Sequence, residues 1–170
     1  VTRKEKVDEE TKTVSRSLWS VNPESHFYNQ IVELATSAFE AIGLTRGPGH
    51  LELILDKNVG PLGVIEAAAR GGGFNLSTNL IQVTTGFNFL SKSLELFLNN
   101  EIEIMTTHYN PSVLFFYPTK KGKLVVIEGL SEVIAMPFVQ VTILGEIGKS
   151  YENATTDGDR LCTVIVSASS

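Results

Sequence analysis

Cysteine is nearly absent: the chain of 170 residues carries one, Cys162. That excludes an intramolecular disulfide framework and a cysteine-built zinc cluster. Histidine is scarce too, and His26, His50 and His108 lie too far apart to match a metal-ligand spacing. No apolar run reaches the roughly 18 residues that a membrane-crossing helix needs. An excess of positive charge is also missing: 14 Lys and Arg stand against 19 Asp and Glu, a formal net charge of −5. Such a balance argues against bulk binding to nucleic acid or to an anionic membrane. The first residues (Arg3, Lys4, Glu5, Lys6, Asp8, Glu9, Glu10, Lys12) do not resemble a secretory signal. The chain begins with Val1 rather than methionine, so it is read as a fragment or a processed piece.

What is present suffices for a core. Hydrophobic residues make up 42% and charged residues 19%, which fits one domain or one domain with an appendage. Residues 1–12 mix both charge signs and are expected to fray. Residues 13–20 alternate loosely and read as a strand, at an edge, with Trp19 in the core. Asn22-Pro23-Glu24 has the form of a helix start, Phe27, Ile31, Leu34, Phe39 and Ile42 follow at helical spacing, and Gly43 ends the run. A helix over 23–42 is predicted, with His26 exposed in its first turn. Two more are expected near 77–86 and 87–100, the second from Phe87, Leu90, Leu94 and Leu98. Beyond residue 112 the texture turns β-rich, with strands at 113–117, 124–127, 139–144 and 161–166 and a short helix at 130–134. Residues 149–159 read as loop. Cys162 falls in the last, apolar strand and is expected to be an inert thiol. The mixture indicates an α+β fold.

The most informative segment is a hairpin. Residues 50–56 and 62–70 alternate as strands, and residues 57–61 hold the Asn, Gly and Pro of a turn. With the turn centred on Val59, Glu52 falls opposite Glu66 and His50 opposite Ala68. Arg70 continues the same face, since side chains alternate with period two. Leu51, Leu53 and Leu55 share the other face. Opposed side chains stand ~4.5–5.5 Å apart at Cβ, where like charges destabilise a sheet. Two carboxylates so placed call for a cation between them or a shared proton. Oxygen-only ligation suits Mg²⁺ or Mn²⁺, with water or phosphate oxygens completing the shell. Arg70 can grip a phosphate with its planar fork, and Gly71, Gly72 and Gly73 allow close backbone approach to a ligand. A plain solvated Glu66–Arg70 pair, worth under ~1 kcal/mol, fits the same strand pattern.

The residues around this hairpin resemble a family. His50-x-Glu52, a turn, then Val64-Ile65-Glu66-Ala67-Ala68-Ala69-Arg70-Gly71-Gly72-Gly73 is similar to the carboxy-terminal lobe of the ATP-grasp ligases. The approach, Ala41-Ile42-Gly43-Leu44-Thr45-Arg46-Gly47-Pro48-Gly49, matches the segment before the first glutamate there. Downstream, Phe115-Phe116-Tyr117-Pro118, Gly122-Lys123, Ile127-Glu128-Gly129-Leu130 and Gly145 resemble the small C-terminal domain of the branch that holds L-amino acid ligases and carbamoyl-phosphate-synthase-like proteins. The resemblance covers roughly residues 13–168.

It implies an antiparallel sheet with flanking helices over 1–106, the ATP-grasp lobe, and a small β-rich α+β subdomain over 107–170. It implies a cytoplasmic ligase that uses Mg²⁺ (or Mn²⁺) and ATP to activate a small carboxylate or amino acid as an acyl phosphate, which an amine then attacks. Glu52 and Glu66 would hold the metal and, through it, the nucleotide. Arg70 would touch phosphate or the acyl phosphate as the catalytic cation, and Gly71 to Gly73 would shape the substrate pocket. His50 would pack beside the site. One position departs from the pattern: many members carry an asparagine, a ligand to a second magnesium, where this chain has Ala68. The family's other ATP-grasp lobe, with its phosphate loop, has no counterpart before Thr13. The chain is therefore expected to be part of a longer enzyme, inactive alone and prone to self-associate as a homodimer through uncovered apolar surface. The alternative is a degenerate, non-catalytic lobe serving as a scaffold, which Ala68 favours.

Overall fold

The computed structural model describes residues 1–7, 14–99 and 101–168. They form two compact units, one of Val1 with residues 21–108, the other of residues 2–20 with 109–170. Both mix helix with antiparallel sheet, so the fold is α+β. Among the described residues no helix is long and apolar enough to cross a membrane.

The first unit is built on the helix α1 (Tyr28–Ala41) and the hairpin of β3 (His50–Asp56) and β4 (Gly60–Ala68). The helix begins five residues later than its sequence signal. The Asn22 side chain accepts the Glu24 amide at 2.9 Å, and turn bonds from Ser25 to Asn22 and from Tyr28 to Ser25 hold the intervening chain. The asparagine thus closes a local turn instead of capping the helix, a common competition for this residue type. His26 lies exposed in that turn. The helix ends as its glycine predicts. Gly43 takes φ +76, its amide bonds the Glu40 carbonyl, and Leu44 reaches back to Phe39, each at 2.9 Å. This is the paired-bond C-terminal motif that a left-handed glycine permits. Ile31 is buried on α1, which packs against β4. After the glycines come a π-helical turn (Leu76–Leu80), α2 (Ile81–Thr85) and α3 (Phe89–Asn99). Leu80 and Ser77 are buried there.

The second unit holds a five-stranded antiparallel sheet in the order β1 (Thr2–Lys6), β2 (Ser15–Ser20), β5 (Ser112–Pro118), β9 (Arg160–Ser167), β7 (Val139–Ile143). One face carries Leu18, Leu114, Phe116 and Ile165, all buried; Leu18 pairs with Leu114, and Leu114 with Ile165. Arg160 stacks on Phe116 at 3.7 Å and reaches Asp157 at 2.9 Å. A two-stranded pair, β6 (Gly122–Lys123) with β8 (Ser150–Tyr151), and the helix α4 (Leu130–Ile134) complete the unit.

Several expectations fail here for identifiable reasons. Residues 2–6 do not fray, because β1 pairs along β2 and Glu5 accepts the Ser17 hydroxyl at 2.8 Å; residues 8–12 lie outside the described residues. β2 is consequently interior to the sheet, not an edge. Trp19 is 39% exposed, since it stands on the less covered face, edge-on to Phe115 at 6.0 Å. Residues 124–127 form no strand: Leu124 exchanges backbone hydrogen bonds with Gly148 and Lys149, but the ladder of β6 and β8 ends at Lys123.

Candidate functional site

Sequence alternation sets the faces of the hairpin, and a short turn closes it. The Asp56 side chain accepts the amides of Asn58 and Val59 at 2.8 and 3.1 Å, which closes the turn. Across the ladder His50 pairs with Ala68, Leu51 with Ala67, and Glu52 with Glu66. The register shifts after Glu52 and again after Ile54, so the simple pairing holds only at the end that carries the acids. Beyond the first shift the leucine stripe no longer keeps one covered face, and Leu55 is exposed.

Two carboxylates directly opposed would repel. Each has a basic side chain beside it. Arg70 donates to Glu66 Oε1 at 2.9 Å, and His50 Nε2 lies 3.7 Å from Glu52 Oε1. Glu66 and Arg70 are about half exposed, so their bond contributes under ~1 kcal/mol to stability. Arg70 also donates to the Gly71 carbonyl at 3.0 Å, which ties the guanidinium to the start of the glycine run. Among the described residues no group of three His, Cys, Asp or Glu side chains is placed to hold a metal. A cation here would have two carboxylate donors at most from these side chains. That suits a hard ion that keeps waters and accepts phosphate oxygens, not a fully enclosed site.

The three glycines differ. A Cβ at Gly71 would lie 2.8 Å from Ser77 Oγ and from the Phe89 ring; at Gly72 it would strike Leu76 and come within 3.2 Å of His50 Nδ1. At Gly73 it would meet nothing. The first two glycines are therefore required by close packing, and the third faces open space.

Comparison with known proteins gives a consistent picture. No family model matches the sequence, and no curated protein does. Among solved structures, the chain is similar to an L-amino acid ligase from Bacillus licheniformis, with 27% identity and a TM-score of 0.76 over 92% of this chain and 39% of that one. Phosphoribosylglycinamide synthetase from Anaerococcus prevotii matches with 14% identity and a TM-score of 0.67, over 92% and 41% of the two chains. An N5-carboxyaminoimidazole synthase from Aspergillus clavatus, solved with ADP and an aminoimidazole ribonucleotide, matches with 13% identity and a TM-score of 0.68, over 98% and 41%. The chain shares its fold with the ATP-grasp ligases. It spans about two fifths of the length of these structures.

Within this ATP-grasp fold some local features had no clear sequence signal. Phe74 and Asn75, directly after the glycines, take φ +51 and +65. Asparagine tolerates the left-handed region, so Asn75 is legible in retrospect; a phenylalanine there is not. The side chains that press on the glycines, Leu76, Ser77 and Phe89, come from the following helices, and no local pattern marks them.

Proposed function

We propose that the chain is the carboxy-terminal part of an ATP-dependent carboxylate–amine ligase. Glu52 and Glu66 would hold Mg²⁺ and, through it, ATP, and Arg70 would serve as the catalytic cation. The single observation that carries this is the opposed pair Glu52–Glu66 with Arg70 on the same face, in a chain 27% identical to an L-amino acid ligase. The fit to magnesium rests on the donor set: two partly exposed carboxylates, Glu52 and Glu66, with the His50 imidazole beside the first. When bound, the ion neutralises phosphate charge and fixes the nucleotide for in-line attack.

The chain's own groups do the rest. Phosphoryl transfer depends on positioning and on stabilising charge as it develops. Arg70 is half exposed, with its fork reaching both Glu66 and the Gly71 carbonyl. It is free to trade that exposed bond for a phosphate or acyl-phosphate oxygen, a stronger bidentate partner. Gly71 and Gly72 keep the backbone of the acceptor loop close-packed, and Gly73 leaves room on its open side. The substrates are a small carboxylate or amino acid and an amine, and the remaining part of the nucleotide clamp comes from another lobe.

A second reading is a non-catalytic scaffold. Ala68 offers no donor opposite His50, and each acid already has a basic neighbour. The two are separated by measuring ADP release by the full-length protein with Mg²⁺, ATP, amino acids and an amine. Turnover that falls at least about 100-fold in Arg70→Ala, with ATP binding retained, is expected for the ligase. No turnover across a broad amino acid panel, or turnover indifferent to Arg70, supports the scaffold.

A further inference from the structure

His50 stands between the two parts of the candidate site, the acids and the glycine run. It opens β3 two residues before Glu52, so both side chains lie on one face of the hairpin. Its ladder partner is Ala68, whose methyl group leaves room beside the ring. The pairing is regular from His50 to Glu52 and shifts only after that, so the backbone that carries both groups is held in register with Glu66 to Ala68. The ring is also better covered than the groups around it. Its side chain is 18% exposed, against 33% for Glu52 and about half for Glu66 and Arg70.

The imidazole has two nitrogen-bearing edges, and each meets a different part of the site. Nε2 lies 3.7 Å from Glu52 Oε1. Nδ1 faces the backbone of Gly72, so near that a Cβ on that residue would come within 3.2 Å of it. The ring is one rigid plate, so a shift of the Glu52 carboxylate and a shift of the Gly72 backbone both press on it. Arg70 makes a parallel link from the other acid, since it donates to Glu66 and to the Gly71 carbonyl. Each acid is thus joined to the glycine run through one nitrogen-bearing side chain.

We propose that His50 is a positioning residue that couples the acids to the glycine run: one ring edge sets where the Glu52 carboxylate stands to receive the metal, and the other sets the Gly72 backbone. Loading of Mg²⁺ and nucleotide at the acids then fixes the loop that shapes the acceptor pocket. This role rests on the ligase reading above. Groups that orient a metal's ligands are worth about 10- to 100-fold in metal affinity.

The test is nucleotide binding by the full-length protein, titrated calorimetrically with the non-hydrolysable analogue β,γ-imido-ATP, with and without Mg²⁺. The ratio of the two dissociation constants measures what the metal adds, and a ring that only fills space would not alter it. His50→Ala is expected to reduce the ratio about tenfold or more. His50→Gln, whose amide reaches as far as Nε2, is expected to restore most of it. His50→Asn, whose amide reaches only as far as Nδ1, is expected not to. Hydrogen exchange reads the other edge: at saturating Mg²⁺ and analogue, exchange from Gly71 to Phe74 is expected to slow in the wild type and not in His50→Ala. Loop protection that persists in the saturated His50→Ala protein overturns the coupling. A ratio unchanged in His50→Ala but lost in the Glu52→Gln, Glu66→Gln variant overturns the role of His50 and leaves the ligase reading standing. A wild type without metal-dependent binding overturns both. If His50→Ala fails to fold, equal ratios in the glutamine and asparagine variants decide against the proposal.

Discussion

At the residue scale, the second unit holds an ion pair of its own, Asp157 with Arg160. Asp157 accepts the Ser15 amide at 2.7 Å and its hydroxyl at 3.0 Å, and pairs with Arg160 at 2.9 Å. Partial burial pushes its carboxyl up, but the Ser15 bonds and the Arg160 and Lys4 charges outweigh that and hold it below the ordinary range. Arg160 is almost fully buried, so loss of Asp157 takes a carboxylate from beside a buried charge. Asp157→Asn is therefore expected to cost about 2 kcal/mol at neutral pH, measured by urea unfolding. The sign of the pH dependence follows from the lowered value. The contribution is present above the unfolded carboxylate range and is lost as pH falls through the folded one. The gap between wild type and variant should close in acid; a constant gap would contradict it. None of this was legible in the sequence, because Ser15 and Asp157 are 142 positions apart. By contrast, burial raises the Cys162 thiol, in keeping with the inert role read from its apolar strand.

At the element scale, the hairpin was legible and its neighbours less so. Period-two alternation suffices to put Glu52 and Glu66 on one face, but the turn pairs Asp56 with Gly60, and the two register shifts are what bring the acids opposite one another. The register shifts after Glu52 and Ile54 were hidden, since nothing in Leu53-Ile54-Leu55 marks where an extra residue goes. The helix start was misplaced because Asn22-Pro23 suits a turn as well as a cap. The strand expected at 124–127 failed because alternation reports which faces a segment has, not whether a neighbour exists to pair with it. The glycine run gives the sharpest element-scale test. Gly72→Ala drives a methyl into Leu76 and toward His50, and is expected to destabilise the unit by about 1–3 kcal/mol. Gly73→Ala, with open space around it and no positive φ, is expected to stay within about 0.5 kcal/mol of wild type. Thermal melts of the two variants that move together would show that the run is held for flexibility alone.

At the scale of the whole molecule, the organisation differs most from what chain order suggests. The amino-terminal strands belong with the carboxy-terminal sheet, because β2 hydrogen-bonds to β5 across roughly ninety residues of intervening chain, a pairing local pattern does not reveal. The acids, the arginine and the glycines all come from the other unit, within one continuous stretch from His50 to Gly73. That continuity is why the candidate site was readable when the architecture around it was not. It also concentrates the functional account on two side chains. The most direct test is a calorimetric titration of the full-length protein with ATP, with and without Mg²⁺, beside its Glu52→Gln, Glu66→Gln double variant. Metal-dependent nucleotide binding in the wild type that disappears in the variant is the predicted result. Equal metal-dependent binding by both proteins would contradict the account, because it would place the ion and its nucleotide elsewhere.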